Sequence, residues 1–303
     1  MNSFSKICVL FNRGSGFIKN CGKDELSEII KKMKSLADIC DEFDFRQIEG
    51  EEIKDMIANS MDNEPDLVVA AGGDGTVSAV AQAAVKYGFT LGVIPLGTFN
   101  NFSKDAGIPQ QWKDAVEIIK NGSAKKIDAA EVNGNVFINN SSIGLYPKSV
   151  KERDRHMKLG HGKFVSMAVG LYRIFSRFPL HKVRIETAEG LQQYKTAFVF
   201  VGNNEYEVDL LNLGRRLNLN SGKLCLYLSG CKNRLCMIKM AILSLFGKLD
   251  QGKDFIYTTA EQVTVYTKRK KMRIAADGET FKTESPIRYK IIKNTLEIML
   301  SKD

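Results

Sequence analysis

The spacing of apolar residues changes once along the chain, near residue 125, and that change limits the fold more than any single motif. Before it, short continuous apolar runs alternate with helix-like stretches. Residues 7–11, 42–48, 66–71 and 91–95 read as strands. Residues 23–36 place apolar side chains at 26, 29, 30, 33 and 36, which is the spacing of one helix face. Residues 51–58, 77–87 and 111–120 read as further helices, with Val77, Val80, Ala81 and Ala84 on one face. Strands that are apolar on both faces and separated by helices call for a parallel sheet covered on both sides.

After the change, residues 132–139, 183–187, 196–201, 223–228, 263–267, 273–276 and 287–292 read as short strands joined by polar turns. Helical spacing returns only at 164–178 and 235–246. Many short strands in one block argue for an antiparallel sandwich or barrel-like domain. With 303 residues, the chain exceeds what one core usually supports, roughly 250–300 residues. The expected organisation is an α/β domain over 1–125 and a β-sandwich domain over 126–288, with a tail at about 289–303 returning to the first. The stretch Asn121-Gly122-Ser123-Ala124-Lys125-Lys126 reads as the turn between them.

Composition narrows the partners. Apolar residues at 44% and charged residues at 26% exclude a mostly disordered chain. Forty-four Lys and Arg against 35 Asp and Glu give a net charge of +9, which favours nucleotide phosphates, nucleic acid or an acidic membrane surface. No two of the six cysteines have CxxC spacing, so neither a disulfide frame nor a zinc site is expected. The apolar run at 7–11 is too short for a leader core, and the stretch at 235–246 is too short to span a bilayer. The expectation is a soluble cytoplasmic protein, at most peripheral to the membrane.

Ligands of parallel α/β sheets bind beyond the carboxyl ends of the strands. Three loops fall there: Asn12-Arg13-Gly14-Ser15-Gly16, Gly72-Gly73-Asp74-Gly75-Thr76 and Leu96-Gly97-Thr98-Phe99-Asn100-Asn101. Glycines let backbone amides approach a phosphate, and a helix starting near Thr76 aims its positive end there. Asp74 would repel phosphate unless a divalent cation lay between them, so the loop implies a metal–nucleotide site. Neither GxGxxG nor GxxxxGK[ST] is present. A second acidic group comprises Asp128 and Asp277-Gly278-Glu279, where Asp-Gly also reads as a hairpin turn.

Asn12-Arg13-Gly14-Ser15-Gly16, GGDGTV at 72–77, PLGTFNNF at 95–102, INNSSIGLYP at 138–147 and the late DGE at 277–279 together resemble the diacylglycerol kinase catalytic-domain family. These are bacterial lipid kinases related to sphingosine and ceramide kinases. The resemblance runs from about residue 6 to residue 299. It implies a phosphofructokinase- or NAD kinase-like α/β domain plus a β-sandwich domain on the lipid side. It implies transfer of the γ-phosphoryl group of ATP, with Mg²⁺, to a lipid hydroxyl, most plausibly that of diacylglycerol. By the same resemblance Gly72, Gly73, Asp74, Gly75 and Thr76 hold the phosphates. Asn12, Ser15, Thr98 and Asn100 line the nucleotide pocket. Asp277 is the general base, and Asp74, Asp128 and Glu279 are the magnesium carboxylates.

The chain departs from the family's pattern at Arg13, where relatives have proline, at Phe99 for glycine, at Asn101 for aspartate, and at Asn220-Ser221 for Asp-Asp. An NAD kinase-like enzyme, sharing GGDGT, and a catalytically weakened regulator are the alternatives. The implied partners are a membrane lipid and an anionic membrane surface at its inner face; the resemblance also allows a homodimer. No nucleic-acid partner is expected, because the basic run Lys268–Arg273 has no stacking platform beside it. The arginines at 173 and 177, on the apolar stretch 164–178, give a second membrane candidate.

Overall fold

The computed structural model describes residues 3–49, 53–61, 64–144, 180–206, 216, 218–230, 236 and 255–302. The stretches 164–178 and 235–246 fall outside these residues, except for Cys236. The chain divides into two compact units: Met1–Ala129 with Ile292–Asp303, and Ala130–Ile291.

The first unit alternates strand and helix: β1 (Phe4–Asn12), α1 (Lys23–Lys34), β2 (Cys40–Ile48), α2 (Ile53–Met61), β3 (Leu67–Gly72), α3 (Asp74–Tyr87), β4 (Thr90–Pro95), α4 (Asn101–Asp105) and α5 (Trp112–Asn121). It also holds the start of β5 (Ser123–Val132) and the end of β16 (Ile287–Leu300). The parallel order is β2-β1-β3-β4-β16, with Ile298 seated beside Leu91. Every residue of β3 and β4 is buried, as expected for strands covered on both faces. One core joins Ile7, Val9, Leu67 and Val69 of the sheet to Ile29, Met33, Val116 and Ile119 of α1 and α5. The segment expected to be a turn at Ser123–Lys126 instead opens β5: α5 stops at Gly122, whose amide caps the helix on the Ile118 carbonyl.

The second unit is antiparallel. Its strands are β6 (Asn135–Phe137), β7 (Asn140–Gly144), β8 (His181–Thr187), β9 (Gly190–Thr196), β10 (Phe198–Asn203), β11 (Leu224–Ser229), β12 (Phe255–Ala260), β13 (Gln262–Thr267), β14 (Lys271–Ala276) and β15 (Glu279–Glu284), with the start of β16. One sheet runs β12-β11-β10-β7-β14-β15 and the other β16-β13-β8-β9, with β6 on β5. Inward residues of both sheets share one core: Val199, Val201, Leu226 and Ile274 from the first, and Val183, Ile185, Val265 and Tyr289 from the second. This is a sandwich.

Four strands lack the apolar pattern that reveals a strand in sequence. β9, β12 and β15 end their sheets: β9 and β15 keep mostly polar, exposed residues, and β12 leaves Ile256 and Tyr257 exposed. β7 lies mid-sheet, yet it buries Ser141 and Ser142. Ser141 Oγ donates to the Ala275 carbonyl at 2.7 Å and meets the Tyr289 hydroxyl at 3.2 Å. Against the cysteine expectation, Cys236 is disulfide-bonded, whereas Cys8, Cys21, Cys40 and Cys225 are free thiols. No described helix is long and apolar enough to cross a membrane.

Candidate active site

In the first unit, hydrogen bonds and close backbone approach tie the three strand-end loops together. Asn12 Oδ1 accepts the Gly14 amide at 2.8 Å and fixes the turn after β1. Its Nδ2 donates to Thr76 Oγ1 at 2.9 Å, reaching the first turn of α3. The Phe17 amide donates to the Leu96 carbonyl at 3.1 Å, and the Leu96 amide to the Gly72 carbonyl at 2.8 Å.

Glycine is needed where these backbones meet. A Cβ on Gly97 would lie 2.6 Å from Gly73 Cα, and one on Gly16 would lie 2.4 Å from Thr98 Oγ1. Asn100 caps α4 from a left-handed conformation, φ 52°, and its Oδ1 accepts the Gly97 amide at 2.9 Å. Asp74 stands in the first turn of α3, where the helix dipole favours a carboxylate. The Phe102 amide approaches its Oδ1 at 3.4 Å.

Two features of this cradle have no use inside the fold. Ser15 is 6% exposed, and its hydroxyl has no hydrogen-bond partner among the described residues. An unsatisfied buried hydroxyl costs about 1–3 kcal/mol, so it points to a group supplied from outside. Gly75 is exposed with nothing within 4 Å of a Cβ built on it. No neighbour demands glycine there, and glycine in a helix costs roughly 0.5–1 kcal/mol against alanine. Thr98 is exposed at the rim, beside Phe99.

In the second unit, Asp277 and Gly278 are the two loop residues of the β14–β15 hairpin, where Ala276 pairs with Glu279. Both have positive φ, 47° and 85°, which makes a type I′ turn. The hairpin reading of Asp-Gly therefore holds, but the carboxylate does more than turn the chain. Asp277 Oδ2 accepts the Ile138 amide at 2.8 Å, and Oδ1 accepts those of Asn139 at 2.8 Å and Asn140 at 3.2 Å. The Asp277 amide returns a bond to the Asn140 carbonyl at 2.9 Å. Glu279 is exposed at the start of β15.

Sequence reasoning missed what holds the other side of residues 138–139. Arg216 is 4% exposed and donates to the Ile138 carbonyl at 2.6 Å and to Asn139 Oδ1 at 3.0 Å. Tyr206 places its ring 5.6 Å from the guanidinium and donates its hydroxyl to the Asn139 carbonyl at 3.1 Å. Asn203 bonds the Ile138 carbonyl, and Asn204 Oδ1 accepts both the amide and the hydroxyl of Ser221. Asn139, inside the INNSS motif, was the one visible signal. Arg216 lies 78 residues from its partner and carried none.

Asp128 is buried on β5, and its Oδ1 accepts the Asn294 amide at 2.9 Å. Within either unit, no three His, Cys, Asp or Glu side chains among the described residues gather to hold a metal.

A cradle of amides and glycines at the carboxyl edge of a parallel sheet, joined in one chain to an antiparallel sandwich, defines a class of phosphate-handling enzymes. Residues 6–132 match the family described as "Diacylglycerol kinase catalytic domain". A diacylglycerol kinase of Bacillus subtilis (strain 168) is 32% identical over 71% of this chain and 72% of its own length. A diacylglycerol kinase of Staphylococcus carnosus (strain TM300) is 24% identical over 97% of this chain and 95% of its own. A crystal structure of a diacylglycerol kinase from Bacillus anthracis str. Sterne has the same fold, with a TM-score of 0.70 at 19% identity, covering 99% of this chain and 98% of that one. This chain belongs to the diacylglycerol kinase family and is a lipid kinase.

Proposed function

We propose that this lipid kinase moves the γ-phosphoryl group of ATP to the hydroxyl of diacylglycerol, giving phosphatidic acid. The observation that carries the donor is the cradle, with its unpartnered buried Ser15 hydroxyl and its open Gly75. The acceptor class rests on the relatives' names. Gly72, Gly73, Gly75 and Thr76 would present the β3–α3 turn to the phosphates, with Asn12, Ser15, Thr98 and Asn100 around the nucleotide. Mg²⁺ is commonly held by one or two carboxylates and substrate phosphates rather than by an all-protein cage, so Asp74 suits it. Bound there, it would neutralise phosphate charge. We assign Glu279 as a further metal carboxylate; Asp128, tied to β16 through Asn294, is the weakest member of that set.

Asp277 takes the proton of the acceptor hydroxyl as oxygen bonds to phosphorus. Its carboxylate, an acceptor-only group when ionised, takes three backbone amides, those of Ile138, Asn139 and Asn140. The three amides fix the orientation of that acceptor. Catalysis on this reading is positioning plus charge stabilisation. The acceptor lies in a bilayer, so the protein works as a peripheral enzyme on an anionic membrane surface.

Transfer of label from [γ-³²P]ATP tests the proposal, using diacylglycerol, ceramide, sphingosine and NAD as acceptors, with Mg²⁺ present or chelated. Labelled phosphatidic acid that disappears on chelation is expected. Label in NAD alone would refute the acceptor, and nucleotide binding without transfer to any acceptor would refute turnover.

A further inference from the structure

The outer face of the β16-β13-β8-β9 sheet gathers cations that are far apart in sequence. Val183 and Ile185 face the core, so Lys182, Arg184 and Glu186 of β8 face outward. The registers place Lys195 opposite Lys182, Gln193 opposite Arg184 and Leu191 opposite Glu186 on β9. On the other side, Tyr266 lies opposite Arg184 and Thr264 opposite Glu186, with Arg288 of β16 opposite Thr264. Lys268, just past the end of β13, shares a depression of about 220 Å³ with Lys182, Arg184, Gln193 and Tyr266. The basic run Lys268–Arg273 is thereby divided: Lys268 enters this face, while Lys271 on β14 pairs with Glu284 at 3.5 Å.

Like charges directly opposite in an antiparallel pair are destabilising. Lys182 and Lys195 are such a pair, and none of Lys182, Lys195 and Lys268 has a carboxylate partner among the described residues. The nearby Glu186 accepts the Tyr266 hydroxyl at 2.7 Å. A lysine on an end strand discourages edge-to-edge pairing, which accounts for Lys195 on β9 but not for Lys182 on an inner strand. An anion between the ammonium groups removes the repulsion. The Arg184 guanidinium lies 5.3 Å over the Tyr266 ring, so that ring is no free platform for stacking a base. Leu191, 55% exposed on the same face, offers an apolar contact suited to a headgroup–acyl boundary.

We propose that this face lies on an anionic bilayer, with a phosphate-bearing lipid headgroup seated in the depression between Lys182, Arg184 and Lys268. The inference rests on the reading of a peripheral enzyme and names the surface it uses.

Vesicle flotation tests it. Phosphatidylcholine vesicles with and without phosphatidylglycerol are compared for the wild type, Lys182→Gln/Lys268→Gln, and an equal charge loss on α1, Lys23→Gln/Lys31→Gln. Two charges removed at the surface should weaken binding to the anionic vesicles roughly 30-fold, while the α1 pair changes it by no more than about two-fold. Lys182→Arg/Lys268→Arg should retain binding. Phosphoryl transfer to diacylglycerol in neutral detergent micelles should match the wild type in the first pair, which shows that the variant is folded. Flotation of the first pair at the wild-type level, or an equal loss in the α1 pair, would overturn the proposal. So would loss of oligonucleotide binding in the first pair with vesicle binding intact. Binding that inorganic phosphate abolishes at constant ionic strength would assign the depression to the free ion and also overturn it. A wild type that floats but phosphorylates no lipid would refute the kinase reading and leave the docking face standing.

Discussion

Replacing Asp277 with asparagine separates the two tasks given to that side chain. Asparagine tolerates the left-handed conformation that residue 277 adopts at φ 47°, so the I′ turn keeps its backbone. With its oxygen at the Oδ1 position, the amide can still accept from Asn139 and Asn140. At the Oδ2 position it presents an NH₂ to the Ile138 amide, a donor facing a donor at 2.8 Å. The loss is one charge-assisted bond in a partly buried place, about 1–3 kcal/mol. For a unit of this size that lowers Tm by roughly 2–12 °C, leaving the protein folded at 25 °C. If Asp277 is also the base, kcat should fall about 10²–10⁴-fold at saturating ATP, because the amide cannot take the proton. Melts followed by circular dichroism and lipid phosphorylation on the same preparation measure both. A lowered Tm with kcat unchanged would refute the base and leave Asp277 a bracket for residues 138–140.

Asp74→Ala should abolish transfer with the fold retained, since it removes the cradle's carboxylate; normal turnover in a folded variant would exclude the site. Gly97→Ala, whose Cβ would sit 2.6 Å from Gly73 Cα, should destabilise the protein by about 1–3 kcal/mol, whereas Gly73→Ala, at 3.2 Å, should cost visibly less. Equal melts for the two would refute that packing. Ser15→Ala should leave the Tm of the nucleotide-free protein unchanged or higher while raising the KM for ATP about tenfold, or 1.4 kcal/mol. A lowered Tm with KM unchanged would make the hydroxyl structural. Burial, then Arg269, hold the pKa of His181 below its ordinary value. The unfolded chain therefore takes the proton first, so this stabilisation is complete above about pH 6.5 and is lost as pH falls through the folded value. Urea midpoints should drop between pH 7.5 and 5.5, and His181→Gln should reduce that drop.

The parallel half was the more legible in sequence because burial there leaves little choice of residue. Val68, Val69, Val93 and Ile94 sit in strands covered on both faces, and such strands announce themselves. The sandwich was legible as a class, but its end strands were not. Gly190–Thr196 and Glu279–Glu284 are held by their neighbours' ladders, and their own side chains carry little of the signal. The cradle was legible because its parts recur at strand ends. The bracket around Asn139 was not: Arg216, Asn203 and Asp277 meet there from three separate stretches of chain, and no local pattern records such a meeting.

The seating of β16 beside β4 bears on how the protein is made. Thr90 Oγ1 bonds Glu297 Oε1 across 207 residues, so β4 waits for its neighbour until the whole second unit has been synthesised. At about 5–20 residues per second that wait lasts roughly 10–40 s on the ribosome. During it, the apolar β4 offers an unpaired edge to any other nascent strand. A chain stalled short of residue 297 would thus carry a nearly complete α/β unit with one adhesive edge, and aggregation through that edge is the failure to expect from late truncations.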